Sequence, residues 1–362
     1  MLTEERREAI LRMVERRGTV TVKDVAAELD VSAVTVRQDV RDLASRGLVV
    51  RVHGGAMSPS AAEQAATPGA TGRPEPRREC VLGLVVPPGD YYYPEIIRGV
   101  QDAARTHGVR IVLAVSGETL AENREQARRL VAAGADGLLL MPRAGLEPAE
   151  EAEQWPAGLG VPVVLVDRRT GGRADRLEQV ASDHAHGAGL AVRHLAGLGH
   201  ARIALAARTE SPNTPLIREG YAAACRDLGI EPGPEYRIGT TEGPASADWF
   251  DDLVRAVEAG DVRAALVHND LDAVTLVGLL QARGLSVPED LAVVTYDDEV
   301  AELSDVPLTA VAPPKRAVGA WAVELMRRRL AEPDAPLAEL LLRPELRVRA
   351  SSGDSAASGD RA

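Results

Sequence analysis

The sequence is short of aromatic residues, with one Phe, three Trp and six Tyr in 362 positions. Hydrophobic residues nevertheless make up 45%, so any core is aliphatic. Two cysteines, Cys80 and Cys225, are too few for a disulfide framework. No apolar run approaches the length of a membrane span, and none follows the opening Met-Leu-Thr-Glu-Glu-Arg-Arg. This predicts a soluble, cytoplasmic protein with no membrane partner. Neither a G-x-x-x-x-G-K-[ST] phosphate loop nor a G-x-S-x-G nucleophile turn occurs, so no cofactor and no catalytic residue is predicted and the chain does not read as an enzyme. His184 and His186 of "DHAHG" stand two apart, but with no third ligand evident the expectation is a helix start with solvent-facing imidazoles and no metal. His200 of "GLGH" precedes a strand and reads as structural.

Charge is unevenly spread. Residues 1–57 hold ten Lys/Arg and nine Asp/Glu, a net charge of +1, so the remainder carries −13 and the whole chain −12. A near-neutral head on an acidic body fits a small anion-binding head joined to a larger domain. The length allows two or three domains.

The head, residues 1–56, reads as three helices and a wing. Ile10, Leu11 and Val14 have helical spacing over 3–17. Thr21 is placed to cap a second short helix. Ser32 caps a third, with Val36, Val40 and Leu43 on one face. "LVVRV" is strand-like and "HGG" a wing end. In a helix-turn-helix the second helix of the pair enters the major groove of DNA. Ser32, Thr35, Arg37, Gln38 and Arg41 point outward from it. Arg forks suit guanine edges and phosphates, and Gln suits adenine. Arg51 and His53 would lie beside the phosphate backbone. The expected partner is double-stranded operator DNA.

Residues 57–79, rich in Pro, Ala, Gly and Ser, read as a flexible linker. From Cys80 to residue 350, short apolar runs ("VLGLVV", "VRIVLAV", "ADGLLLM", "VPVVLVD", "ARIALAA", "VRAALVH", "LAVVTY") alternate with helical segments near 94–107, 120–133, 185–197, 214–229, 246–260 and 270–283. This βαβ alternation predicts an α/β body with parallel sheets and helices on both faces, long enough for two lobes. Residues 351–362 read as a disordered tail. Ligands of open α/β sheets bind beyond the carboxyl ends of strands. The polar residues there are Asp90, Ser116, Arg168, Asp183, Asn269, Asp270 and Asp297, with Tyr91, Tyr92 and Tyr93 offering flat faces to a sugar ring or a base.

The head resembles the DeoR family of winged-helix regulators. The resemblance rests on the ERxxxIL opening, the VS-x-x-T-V-R-x-D helix and the GL-x-x-R-x-HGGA wing of "ERREAILRMVERRGTVTVKDVAAELDVSAVTVRQDVRDLASRGLVVRVHGGA". One departure is Gln38, where that family usually has a second Arg. From about Val81 to Ser351 the chain resembles the two-lobed, periplasmic-binding-protein-like sensors of LacI/GalR regulators. "LGLVVPPGDYYYPEIIRGVQDAARTHG", "PVVLVDRR", "DHAHGAGLAVRHLAGLGHARIAL" and "VHNDLDAVTLVGLLQARGLSVPEDLAVVTYDDEV" carry it. The resemblance implies that Tyr92 and Tyr93 form an aromatic pair at the ligand, that Arg168 and Asp297 bind its hydroxyls, and that one of Asn269 and Asp270 caps a helix. Two departures lie in the expected cleft. Ile217 stands where an Arg is usual, with Arg218 next to it, and "DYYYP" replaces Asn-Pro-Phe-Phe. LacI-type regulators join head to sensor by a short hinge helix, which residues 57–79, with Pro59, Pro68, Pro74 and Pro76, do not resemble.

Together these readings predict a regulator of carbohydrate-related genes, a repressor relieved by a sugar or related small molecule, acting as a homodimer or larger assembly on paired half-sites. A ligand that promotes DNA binding, a transport-type binding protein and an enzyme on the same frame are the alternatives.

Overall fold

The computed structural model describes residues 3–17, 19–29, 31–45, 48–52, 55–58, 79–89, 91–117, 119–142, 155–168, 177–209, 211–239 and 248–353. They fall in two compact units, Met1–Arg78 and Glu79–Ala362. The tail from 354, most of the 57–79 segment, His53 and Asp90 lie outside the described residues.

In the first unit, helix α1 (Thr3–Arg17) leads through strand β1 (Thr19–Thr21) to α2 (Val22–Glu28) and α3 (Ala33–Ser45), then to β2 (Val50–Val52) and β3 (Gly55–Met57). Thr21 caps α2 by accepting the Asp24 N–H at 3.1 Å, and the Ser32 hydroxyl accepts the Thr35 N–H at 3.1 Å where α3 begins. Each satisfies a donor that the first helical turn cannot. Strand β3 runs antiparallel between β1 and β2, with Ala56 opposite both Val20 and Arg51. The β-branched pair Thr19 and Val20 thus adds a strand that sequence periodicity did not suggest. Met57 closes β3, and Ser58 is buried. The core is aliphatic, built from Ile10, Met13, Val14, Val25, Val36, Val40 and Leu43.

The second unit has two lobes. The first-lobe sheet orders its strands β14-β8-β7-β6-β4-β5, all parallel. These are β4 (Val81–Val86), β5 (Arg110–Val115), β6 (Gly137–Leu140), β7 (Val163–Val166), β8 (Glu178–Ser182) and β14 (Glu339–Leu342). Helices α4 (Tyr93–Thr106) and α5 (Leu120–Ala132) connect the early strands. The second-lobe sheet orders β10-β9-β11-β12-β13-β15. Its strands are β9 (Arg202–Arg208), β10 (Glu231–Ile238), β11 (Ala264–His268), β12 (Ala292–Tyr296), β13 (Thr309–Ala312) and β15 (Glu345–Arg347), the last antiparallel to β13. Helices α6 (His184–Gly197), α7 (Thr214–Leu228), α8 (Asp248–Glu258) and α9 (Asp270–Ala282) belong to this lobe.

The chain crosses between lobes three times: after β8, after β13 and between β14 and β15. The second crossing leads into α10 (Lys315–Ala331), which packs on α4 of the first lobe. Two glycines set that approach. A Cβ on Gly99 would lie 2.1 Å from the Arg316 carbonyl oxygen, and one on Gly319 would lie 2.1 Å from that of Ile96. Side chains there would force the helices apart. The body's packing also runs past residue 350: Ser351 and Ser352 are buried, and the Ser351 hydroxyl donates to the Val293 carbonyl at 2.6 Å.

Candidate functional site

In the head, the outward face of α3 carries a chain of side-chain contacts. Ser32 and Thr35 bond each other through their hydroxyls at 2.8 Å. Arg41 Nη1 donates to Gln38 Oε1 at 3.1 Å, and Gln38 Nε2 donates to Asp42 Oδ1 at 3.2 Å. Asp42 in turn pairs with Arg7 of α1. One turn back, Asp39 is only 2% exposed; it accepts Arg6 Nε at 2.5 Å and Arg7 Nε at 3.3 Å. The Arg residues of the ERxxxIL opening and the Asp of the R-x-D helix therefore form one partly buried ion-pair cluster that locks α1 to α3. Sequence reading had not assigned Asp39 or Asp42 a role. Arg37 lies on α3 and Arg51 on β2.

The body's cleft lies between the lobes, a cavity of about 220 Å³. Tyr91, Tyr92, Tyr93, Asp167 and Arg168 line it from the first lobe, and Arg208, Ser211, Asn213, His268, Asn269 and Asp297 from the second. The expected Tyr92, Tyr93, Arg168, Asn269 and Asp297 thus come together from positions more than 200 residues apart. All follow the carboxyl ends of inner strands, as the topology requires.

Three expected residues do not line the cavity. Ser116 follows β5, the edge strand, and its hydroxyl donates to the Val86 carbonyl at 3.1 Å. Asp183 caps α6, accepting the His186 N–H at 3.0 Å. Asp270 is fully buried and accepts the N–H groups of Glu299, Val300 and Ala301 and the Tyr91 hydroxyl. Ile217 does not face the cleft either: it packs in the second-lobe core, while the neighbouring Arg218 pairs with Glu235. The second-lobe guanidinium comes instead from Arg208 at the end of β9. Asp272 holds it in a two-pronged bond at 2.7 and 3.0 Å. His184 is also corrected. It is 1% exposed, not solvent-facing, because Nδ1 meets the Tyr296 hydroxyl at 3.2 Å beneath the cleft.

Most of the Arg168 fork is engaged within the protein. Nε donates to the Pro142 carbonyl at 2.6 Å, Nη1 to Asp167 Oδ2 at 3.1 Å and Nη2 to the Tyr93 hydroxyl at 3.0 Å. Tyr92 donates to Asp167 at 3.2 Å, and its ring stands edge-on to Tyr93 with centroids 5.7 Å apart. Lys315 reaches the Asp297 backbone carbonyl and the Glu299 carboxylate, and its ammonium lies 5.0 Å from the Tyr92 ring centre. Asp167 and Asp297 both take positive φ, 55° and 89°, a strained conformation for non-glycine residues that clusters at ligand sites.

Electrostatics divide the second-lobe wall from the first. Burial pushes the Asp297 carboxyl up to about 7 against the pull of Lys315, with Asp270, Asp167 and Glu299 adding to the rise. His268, whose Nε2 lies 4.0 Å from Asp297, falls to about 3 through burial and the nearby His184 and Arg208. The imidazole is therefore neutral at pH 7, and this contact is not an ion pair. Asn269 Oδ1 is buried and has no partner among the described residues. The cleft thus offers flat rings, a neutral imidazole, an unmatched amide oxygen and a carboxyl poised near neutrality, a set suited to a hydroxyl-bearing ring. Among the described residues no cluster could hold a metal ion, and no helix is long and apolar enough to cross a membrane.

Comparison with known proteins meets this geometry at both ends of the chain. The model of the DeoR-like helix-turn-helix domain matches residues 6–62, and that of the periplasmic binding protein-like domain matches residues 192–352. The chain joins a DeoR-like head to a periplasmic binding protein-like body. The arabinose metabolism transcriptional repressor of Geobacillus stearothermophilus is 26% identical over 356 residues, covering 92% of this chain and 90% of that protein. The structure of the transcriptional regulator CelR in complex with cellobiose is 27% identical, with a TM-score of 0.63, covering 92% of this chain and 99% of that one. The lac repressor dimer bound to operator and the anti-inducer ONPF shares the fold at a TM-score of 0.66 and 23% identity, covering 82% of this chain and 99% of that one. The first two of these relatives are named as regulators of transcription.

Proposed function

We propose that the protein is a ligand-responsive transcriptional repressor of carbohydrate-related genes. Its head binds double-stranded operator DNA, and its cleft holds a sugar or a related small molecule. The observation that carries the reading is the pairing, in one chain, of a helix presenting Thr35, Gln38 and Arg41 outward with a two-lobed cleft lined by tyrosines and strand-end polar groups. Repressors related over nine-tenths of the chain, and a related regulator bound to cellobiose, support it. Arg37, Arg51 and His53 complete the set assigned to DNA contact. In the cleft, Tyr92, Tyr93, Asn269, His268 and Asp297 contact the ligand, while Arg168 acts mainly by holding Asp167 and Tyr93.

The protein acts in the cytoplasm, without catalysis, and pairs two heads as a homodimer on two half-sites. Selection from a random duplex library, followed by gel shifts of the winning sequence, tests the head. A thermal-shift panel of sugars and nucleosides tests the cleft, and titrating the stabilising compound into the gel shift tests their coupling. A chain that selects no sequence, or whose DNA complex ignores every stabilising compound, refutes the reading.

A further inference from the structure

We infer that Asp42, which need not touch DNA itself, is a positioning residue that fixes the direction of the Gln38 amide and so makes position 38 an adenine reader. The inference rests on the DNA-binding reading of the head and adds to it the residue that sets specificity.

A glutamine amide is ambiguous by itself, because turning it by half a rotation exchanges donor and acceptor. On α3 the ambiguity is removed from both sides. Arg41 can only donate, and it lies 3.1 Å from Oε1. Asp42, when ionised, can only accept, and it lies 3.2 Å from Nε2. These neighbours stand at i+3 and i+4 from Gln38, the two spacings that share a helix face. Asp42 is not free to drift, because Arg7 of α1 pairs with its other oxygen, and Arg7 is itself anchored on buried Asp39. The relay therefore runs from the scaffold helix to the outward face of α3. Among the described residues the Gln38 amide makes only these two bonds, which leaves one N–H and one oxygen lone pair for a base. A donor beside an acceptor is the pattern that matches N7 and the N6 amino group of adenine in the major groove.

Asp42 is also a negative charge on a DNA-facing helix, which gives the test its separating power. Loss of a merely structural residue weakens specific and non-specific binding together. Loss of Asp42 should weaken discrimination while leaving non-specific affinity unchanged or raising it, because a phosphate-repelling charge has gone. The fold should survive, since Asp39 keeps both Arg6 and Arg7.

The experiment is selection from a random duplex library with the full chain, followed by binding measurements on single-base variants of the selected site. In the unmodified chain one A·T pair should depend on Gln38, favoured by about tenfold over other pairs and lost in Gln38→Ala. Asp42→Ala should cut that preference to about threefold or less, with other positions unaltered and with unchanged or tighter binding to non-specific DNA. Asp42→Glu, which keeps an acceptor and an anion, should restore most of it. If Asp42→Ala retains the full preference, or if no adenine preference depends on Gln38, the inference is overturned while DNA binding stands. If the unmodified chain selects no sequence at all, the DNA-binding reading falls and takes this inference with it.

Discussion

The two walls of the cleft each present an aspartate in the left-handed region at the end of an inner strand, Asp167 after β7 and Asp297 after β12. The next residues make them chemically unlike. Asp167 is followed by Arg168, whose guanidinium pairs with it at 3.1 Å. Asp297 is followed by a second acid, and Lys315 bonds its backbone carbonyl and not its carboxylate. Its side chain faces a neutral imidazole and rises to about 7. One wall therefore holds a fixed ion pair, and the other a carboxyl whose proton is exchangeable near neutral pH. Position on the fold selects the residue type; the immediate neighbours decide its charge.

The largest effect should come from breaking the paired wall. Arg168→Ala leaves Asp167 buried without its counter-ion and removes donors from Pro142 and Tyr93. Breaking a buried pair from one side costs about 3–5 kcal/mol, and urea denaturation of the body should show a loss of that size at pH 7.

The second prediction concerns pH. The Asp297 carboxyl has a folded value near 7 against an ordinary 3.8, so its contribution to stability is present below 3.8 and is lost as pH rises towards 7. His268 has a folded value near 3 against an ordinary 6.5, so its contribution is present above 6.5 and is lost as pH falls towards 3. Between about 4 and 6.5 the two slopes oppose and cancel. Asp297→Asn should expose the histidine alone, giving stability that rises with pH by up to about 1.4 kcal/mol per unit in that window. His268→Gln should give the opposite sign. Denaturation midpoints at a series of pH values would read both, and equal slopes in the two variants would mean that the walls do not differ as described.

Smaller effects should follow from the tyrosines. Tyr91→Phe should cost about 1–3 kcal/mol, because the three backbone N–H donors all bond Asp270 Oδ2 and the lost hydroxyl is the partner of the buried Oδ1. Tyr93→Phe removes the acceptor of Arg168 Nη2 and should cost less, about 1 kcal/mol. A loss from Tyr91→Phe as large as that from Arg168→Ala would place the principal lock between the lobes and not within the first wall.

What the sequence made legible was local. The seven apolar runs are all strands, and the Thr21 and Ser32 caps are in place. Strand β8 opens with Glu178, a buried acid that does not read as a strand start; its partner Arg329 stands 151 residues away. Strand β10 contains Pro232 and Pro234, which only a sheet edge tolerates, and it is at the edge. In the cleft, strand-end position was enough to find Arg168, Asn269 and Asp297. It would also have found Arg208, which follows the run "ARIALAA", but family resemblance drew attention to position 217. Ser116 stands outside the cavity because β5 is an edge strand, and an edge strand and an inner strand look alike until the sheet order is known. The Arg7–Asp42–Gln38 relay was hidden because α1 and α3 meet only in the fold.

The three crossings between lobes also govern the order in which the protein can be made. The first-lobe sheet starts with β4 at residue 81, yet its outer strand β14 is residues 339–342 and its covering helix α10 begins at 315. Neither lobe is a continuous stretch of the gene. On the ribosome, the first lobe must wait with an open sheet edge while nearly the whole second lobe is synthesised, and the second waits for β15. A stop codon after Ala312 would therefore not release one intact lobe and one damaged one. It would strip a helix and a strand from the first and an edge strand from the second, and both halves of the sensor would be lost together.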